Sequence, residues 1–182
     1  MTESSKTMWI RAALRRFEGP LLRYAASITG DDERARDVVQ ETFLHLCQAE
    51  RSQIETHLAA WLFRVCRNRA LDLRRKETRM QSLEPVAEAR LPSREPGPAA
   101  VAERSEGTAH LMEIVKTLPD NQREVMYLRF QSGLSYKEIS AITGHSVSYV
   151  GVLIHGAVKI VRERMTAGFA ARPSRASAGG TR

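Results

Sequence analysis

One stretch of the chain brings together side chains that suit a nucleic-acid strand. Basic residues crowd positions 64–79, and only two acidic residues interrupt them. Helical spacing places four side chains of this stretch on one face, namely Trp61, Arg64, Asn68 and Arg75. An aromatic ring, an amide and guanidinium groups can stack on bases, hydrogen-bond to them and neutralise phosphates. The alternative is that Trp61 is a core residue and the arginines form an ordinary solvated face.

Catalytic and metal-binding chemistry finds little support in the residues. One His/Cys grouping exists, and its spacings match no common zinc site: His45, Cys47, His57 and Cys66. The chain has no glycine-rich phosphate loop and no Ser/His/Asp arrangement with motif support. We therefore predict no catalytic residue, no metal and no cofactor. Both cysteines fall within apolar helical patterns, which predicts free, buried thiols of the kind found in a reducing cytoplasm.

A second segment carries the signals of a DNA-binding helix-turn-helix. Ser135 and Glu138 form a capping box, which predicts a helix beginning at Tyr136. Gly144 ends that helix where the turn needs a positive φ, and Ser146 is placed to cap the next helix. The second helix then faces outward, as a helix that enters the major groove does. The apolar face beneath both helices is predicted to comprise Ile139, Val147, Val150 and Ile154.

Apolar residues three and four positions apart predict helices through most of the chain. Proline-rich residues 82–107 lack this periodicity and predict a flexible tether. The C-terminal residues are rich in Gly, Ser and Ala, which predicts disorder. The predicted fold is all-α, with two small helical domains joined by a flexible linker. The predicted boundaries are 7–80 for the first domain, 81–106 for the linker, 107–166 for the second domain and 167–182 for the tail.

Bulk composition agrees with a polyanionic partner. The 182 residues include 28 Lys+Arg against 21 Asp+Glu, a formal charge of +7. Aromatic residues make up 6% of the chain, which disfavours a stacking platform of the RRM or OB type. The chain has no run of about 18 apolar residues and no N-terminal apolar leader, so we expect a cytoplasmic protein without membrane insertion.

Two parts of the sequence resemble bacterial sigma factors of the extracytoplasmic-function (ECF) group, within the sigma-70 family. Residues 36–44 (RDVVQETFL) and 60–72 (AWLFRVCRNRALD) resemble region 2. Residues 118–129 and 133–139 (GLSYKEI) resemble region 4. The segments occur in the family's order and flank a tether of family-like length. The resemblance implies a factor that is not an enzyme but joins core RNA polymerase and gives it promoter specificity.

The resemblance also implies a role for particular residues. Docking on the clamp helices of the largest polymerase subunit would fall to Asp37, Gln40 and Glu41, and a further polymerase contact would be the flap region. The −10 element would be contacted by Trp61, Arg64, Arg67, Asn68, Arg74 and Arg75. An unpaired base would be captured near a loop at residues 50–57. The −35 element would be contacted by Arg129, Ser146, Ser148, Tyr149, Val152, His155 and Lys159. A membrane-bound or soluble anti-sigma factor is a further implied partner.

The second domain departs from the family where its recognition helix usually carries basic residues. Those positions hold Gly151, Leu153 and Gly156 here, which predicts few phosphate contacts. Alternatively, the glycines allow another protein helix to approach, so that this face is partly protein-binding. For Asp37 and Glu41 the alternative is a solvated i,i+4 set with neighbouring arginines.

Two other functions compete with the sigma-factor interpretation. One is a response-regulator type of transcription regulator, and the all-helical N-terminal half argues against it. The other is a helical protein-binding adaptor, which leaves the basic residues 64–79 unexplained.

Overall fold

A computed structural model describes the backbone of residues 3–81 and 106–170, and the side chains of residues 5–80 and 110–167. The described residues contain helices and no strand, so the all-α prediction is confirmed. Residues 82–105 of the predicted linker and 171–182 of the predicted tail lie outside the described residues. The last helix runs to Ala170. It therefore extends four residues into the predicted tail, 167–182.

The first domain consists of four helices. They are α1 (Glu3–Thr29), α2 (Asp32–Gln48), the short α3 (Arg51–Ile54) and α4 (Leu58–Gln81). Gly30, at φ 73°, ends α1, and the Asp31 carboxylate accepts a 2.8 Å hydrogen bond from the Arg34 amide at the start of α2. A 3-10 turn over Glu55–His57 links α3 to α4, so the predicted loop at 50–57 is mostly helical.

The core of the first domain lies between α1, α2 and α4. Its fully buried side chains include Leu21, Tyr24, Leu46, Leu62 and Phe63. The rings of Tyr24 and Phe63 meet edge to face, with centroids 5.4 Å apart, a geometry that aromatic pairs prefer. This packing fixes the orientation of α4, because Phe63 and Leu62 anchor one side of it and leave its basic residues on the other sides.

The two cysteines differ in exposure. Cys66 is buried on α4, and burial raises the pKa of its thiol to about 12. Cys47 is exposed, so the prediction that both thiols are buried is wrong for Cys47. The physical reason is helical phase: Leu46 occupies the buried position at the end of α2, and the next residue turns outward.

The second domain contains the helix-turn-helix. Its helices are α5 (Glu106–Lys116), α6 (Asp120–Met126), α7 (Tyr136–Thr143) and α8 (Val147–Ala170). A π-helical turn over Tyr127–Gln131 extends α6, where a regular helix was predicted. The buried apolar side chains of α7 and α8 close the core of this domain, and they include Ile139, Ile142, Val150, Leu153 and Ile154.

The predicted capping signals of the helix-turn-helix are confirmed. The Ser135 amide donates to the Glu138 carboxylate at 2.8 Å, and the Glu138 amide donates back to the Ser135 hydroxyl at 3.3 Å. Hydrogen bonds from the hydroxyl and the amide of Ser135 lower the pKa of Glu138. Gly144 adopts φ 78° after α7, and the Ser146 hydroxyl accepts from the Tyr149 amide at 3.2 Å. These local bonds set the start of α8.

The apolar face predicted beneath α7 and α8 is correct for three of its four members. Ile139, Val150 and Ile154 are buried, whereas Val147 is 47% exposed. Val147 is the first residue of α8, where fewer neighbouring side chains are available to cover it.

In the described ranges no single helix is long and apolar enough to cross a membrane. The pair formed by α7 and Val147–Ala167, bent by 104°, satisfies the requirement on length and composition alone.

Candidate nucleic-acid interface

The basic helix α4 presents one face to solvent and another to the second domain. Arg64, Asn68 and Arg75 are exposed, and they lie on one side of α4 as their spacing predicts. Trp61 is partly buried and packs against the core beside this face. The indole therefore has both a structural contact and an accessible edge. This exposed face offers one aromatic edge, one amide and two guanidinium groups to a strand.

Two other predicted −10 residues turn away from that face. The Arg67 guanidinium donates to both carboxylate oxygens of Glu124, at 2.7 Å from Nε and 3.2 Å from Nη2. Arg74 Nη1 lies 3.5 Å from Asp120 Oδ2. Arg67 and Arg74 are seven residues apart on α4, and their partners are four residues apart on α6. The six residues predicted for the −10 element are thus divided between two sides of one helix.

Tyr24 completes this contact between the domains. Its ring is 1% exposed, and its hydroxyl donates a 2.7 Å hydrogen bond to Glu124 Oε1. Burial, followed by the charge of Glu124, raises the pKa of Tyr24 well above its ordinary value. Burial lowers the pKa of Arg67, but its hydrogen bond and attraction to Glu124 outweigh that effect and the net shift is upward. We call these five residues the interdomain seam: Tyr24, Arg67, Arg74, Asp120 and Glu124.

A cleft of about 200 Å³ opens beside the interdomain seam. Ser27 and Leu71 of the first domain and Asn121 and His145 of the second line it together with seam residues. The helix-turn-helix reaches this region as well, because α7 packs against α4. The basic helix and the helix-turn-helix are therefore in direct contact in this arrangement.

The polymerase-docking residues predicted on α2 share one exposed surface. Asp37, Gln40 and Glu41 all face solvent. Glu41 is 3.2 Å from Arg69 Nε of α4, so its ion pair is with the neighbouring helix and not with an arginine of α2. Sequence reasoning missed a further member, Leu44, which is 62% exposed. Its signal was a position seven residues after Asp37, on the same helix face.

On the recognition helix α8, the predicted readout residues point outward. Tyr149 is 43% exposed and Val152 is 64% exposed. The remaining predicted contacts of this region are also exposed: Ser146, Ser148, His155 and Lys159. The rings of His145 and Tyr149 meet edge to face, with their centroids 5.1 Å apart. This contact restricts the side chain of Tyr149 near the start of α8.

Arg129 has partners within the second domain. Its Nη1 donates to the Leu134 carbonyl at 3.0 Å, and its guanidinium lies 5.5 Å from the centroid of the Tyr136 ring. Arg129 therefore braces the loop before α7. Arg129 is exposed, so its remaining N–H donors are available to a phosphate.

The positions that differ from the family's basic pattern do not all face outward. Leu153 is 5% exposed and belongs to the core. A Cβ at Gly156 would lie 3.2 Å from Gln122 Nε2, and one at Gly151 would lie 3.7 Å from the Tyr136 ring. The glycines therefore allow α8 to approach α6 and α7 of its own domain. The explanation that neutral residues here remove phosphate contacts is wrong for Leu153, because that side chain is buried.

Comparison with known proteins identifies the family of both domains. Residues 13–80 match Sigma-70 region 2, and residues 109–160 match Sigma-70 region 4. The ECF RNA polymerase sigma factor EcfG of Rhodopseudomonas palustris is 36% identical over 133 residues, which cover 72% of this chain and 71% of that protein. The ECF RNA polymerase sigma factor SigE of Mycolicibacterium smegmatis is 31% identical over 144 residues. That match covers 78% of this chain, which spans 56% of the length of SigE.

A solved structure shares the fold. It is the sigma factor RpoE from Bartonella quintana, in complex with the anti-sigma factor NepR, with a TM-score of 0.64 and 23% sequence identity. The similarity covers 86% of this chain and 96% of that chain. At this level of identity the match concerns the fold alone.

Proposed function

Because the chain belongs to the ECF group of RNA polymerase sigma factors, we propose that it joins core RNA polymerase and directs transcription initiation at particular promoters. It acts as an initiation factor without a catalytic centre of its own. The observation that carries this proposal is the presence, in one chain, of an exposed acidic and apolar face on α2 and an outward-facing, correctly capped recognition helix.

The α2 face is the polymerase-docking surface in this proposal. Asp37, Gln40 and Glu41 provide polar and negative groups, and Leu44 provides exposed apolar area beside them. Carboxylates that meet basic clamp helices chiefly set orientation and encounter rate. Leu44 contributes affinity, because docking removes its exposed part from water. The second domain makes its own contact with the flap region of the enzyme.

The −10 element and DNA melting fall to α4. Asn68 hydrogen-bonds to base edges, and Trp61 stacks on a base. Phosphates of the non-template strand are neutralised by the four arginines predicted for this element, Arg64, Arg67, Arg74 and Arg75. A base unstacked from the duplex binds near α3 and the following 3-10 turn, where Arg51 lies 5.5 Å from the centroid of the Trp9 ring. Extruding a base costs a few kcal/mol, so a pocket that accepts one unpaired base also assists strand separation.

The −35 element falls to α8. Hydroxyl groups of Ser146 and Ser148, with the imidazole of His155, contact base edges in the major groove, and Val152 contacts a thymine methyl group. Lys159 lies further along the same helix and reaches a phosphate. The boundaries proposed for this division are those predicted from sequence, 7–80 for the −10 domain and 107–166 for the −35 domain.

The proposed setting follows from these partners. Core polymerase and promoter DNA are found in the bacterial cytoplasm, and we propose that location for the factor. By similarity to the RpoE complex, an anti-sigma factor is a further proposed partner.

Charge reversal on α2 tests the proposal. The full-length Asp37→Lys variant is expected to lose co-elution with purified core polymerase and to lose run-off transcription in proportion, while its helical content is unchanged. Glu18→Lys is the matched control, because it makes the same charge change at an exposed position of α1. The assignment of α2 as the docking surface is refuted if both variants bind core polymerase as the wild type does, or if both lose binding to the same extent.

A further inference from the structure

The interdomain seam joins the helix that we assign to −10 DNA to the domain that we assign to −35 DNA. Its centre is Glu124, whose carboxylate accepts one hydrogen bond from Tyr24 and two from Arg67. The side chains of Arg67 and Glu124 are 20% and 15% exposed. This degree of burial separates the pair from ordinary surface ion pairs, which contribute little. Removing one partner leaves the other polar groups poorly solvated.

The outer part of the seam holds a second, longer contact between an arginine of α4 and a carboxylate of α6, closer to solvent. Asp120 Oδ2 lies 3.5 Å from Arg74 Nη1, and both side chains are at least half exposed. The other carboxylate oxygen of Asp120 accepts a hydrogen bond from Arg123 of the same helix. The two carboxylates of α6 thus occupy two guanidinium groups that lie seven residues apart along one side of α4. Arginine forks bind carboxylate and phosphate with the same bidentate geometry, so α6 offers α4 the kind of contact that a phosphate backbone offers.

We propose that the carboxylates of α6 compete with nucleic acid for two arginines of α4, and so hold the free factor in a closed state. The inference rests on the proposed function in one respect, the assignment of Arg67 and Arg74 to DNA. In the closed state α7 also packs on α4, so the helix-turn-helix covers part of the basic helix. Opening exchanges one anionic partner for another, which is how a ligand shifts such an equilibrium by differential affinity.

Distance measurement on the full-length factor tests the closed state without DNA. One fluorophore goes on the native Cys47, which is exposed, and the other on Glu163→Cys, an exposed position of α8. Cys66 stays unlabelled, because it is buried and its thiol remains protonated at neutral pH. Energy transfer between the labels then reports the separation of the two domains.

Two conservative variants are expected to open the factor. Glu124→Gln keeps the shape of the side chain and removes its charge, and Tyr24→Phe keeps the buried ring and removes the hydroxyl. Each should lower the ratio of closed to open molecules by about tenfold or more, because hydrogen bonds to a charged group are lost. Glu113→Gln is the matched control, since Glu113 pairs with Lys116 inside the second domain. Energy transfer unchanged in both seam variants overturns the proposal.

Binding to fluorescein-labelled oligo(dT) tests the competition itself. Phosphate contacts do not depend on sequence, so this probe reports the arginines without knowledge of the promoter. Glu124→Gln should bind oligo(dT) about tenfold more tightly than the wild type, and Glu113→Gln, with the same change of net charge, should not. The gain should shrink as salt is raised.

The two measurements distinguish failure of this inference from failure of the proposed function. A factor that opens without gaining affinity for oligo(dT) overturns the competition and contradicts the assignment of Arg67 and Arg74 to DNA. A factor that stays closed in both variants overturns the role of the seam. In that case co-elution with polymerase and run-off transcription still decide the proposed function, because both are measured on the wild-type factor and on variants of the α2 face.

Discussion

Leu44 provides a sharp test of the polymerase-docking surface, because it is an exposed apolar side chain on the same face of α2 as Asp37. It is 62% exposed. Burying a whole leucine side chain is worth about 1.5–3 kcal/mol, so covering its exposed part on docking is worth about 1–2 kcal/mol. At about 1.4 kcal/mol for each tenfold, Leu44→Ser should weaken binding to core polymerase by roughly fivefold to thirtyfold.

The assay is competition for core polymerase between each variant and fluorescently labelled wild-type factor. Met8→Ser is the matched control, because Met8 is an equally exposed apolar side chain, at 64%, on a different helix, α1. The loss for Leu44→Ser should persist at high salt, since it comes from apolar burial, whereas the loss for Asp37→Lys should shrink as charges are screened. Unchanged affinity in Leu44→Ser, or an equal loss in Met8→Ser, refutes the placement of Leu44 at the interface.

Three further predictions concern DNA and the helix-turn-helix. Asn68→Ala should reduce open complexes, measured by permanganate reactivity of promoter thymines, while leaving binding to duplex −35 DNA unchanged. Val152→Arg should add one phosphate contact and steepen the salt dependence of duplex binding by a slope of about 0.9, whereas Leu153→Arg, at a buried position, should unfold the domain. Ser135→Ala should speed amide hydrogen exchange in α7, consistent with a loss of about 1 kcal/mol at neutral pH. Because the folded pKa of Glu138 is lowered, its stabilising effect is present above the ordinary glutamate pKa and disappears as the pH falls through the lowered value. The difference between variant and wild type should therefore narrow in acid.

The features that sequence predicted best are those that local bonds determine. Ser135 and Glu138 are three residues apart, and Gly144 follows the helix they begin, so each signal lies within a few residues of its effect. The same is true of the start of α8 at Ser146. A capping residue acts on amides of its own helix, so the rest of the fold has little opportunity to override it.

The orientation of α8 was harder to predict, because apolar residues occur around much of its circumference. Val150, Leu153 and Ile154 are all buried, yet Val152 between them is exposed. The spacing of apolar residues identifies the buried face of a helix only when polar residues clearly occupy the opposite face. Gly151 and Gly156 add to the difficulty, because a glycine has no side chain whose polarity would indicate whether its face of the helix is buried or exposed. Their contacts with Tyr136 and Gln122 depend on how the helices pack.

The interdomain seam could not be predicted from sequence. Tyr24 and Glu124 are 100 positions apart, and neither belongs to a motif that names its partner. Tyr24 is not among the apolar positions that the sequence pattern of α1 singles out, and no pattern in the sequence supplies the acceptor that its buried hydroxyl needs. In the sequence, nothing distinguishes Arg67 from the other basic residues of α4, because only the fold shows that Glu124 lies beside it.

The division of the α4 basic residues implies an order of events if the seam closes the free factor. Arg64, Asn68 and Arg75 are exposed in the closed state, so they are available for a first encounter with DNA that steers the factor electrostatically. Arg67 becomes available only after Glu124 releases it. Its contact with DNA therefore strengthens the complex late, when the strand already lies along α4. One helix can in this way contribute to two successive steps, the first association with DNA and the later tightening of the complex. The reason is that its two sides face different partners before promoter DNA is bound. Rapid-mixing kinetics should then show Arg64→Ala slowing association with promoter DNA. Arg67→Ala should speed dissociation without slowing association, because it also removes the seam bonds to Glu124. Equal effects of both substitutions on association would show that α4 presents all of its arginines to DNA at once.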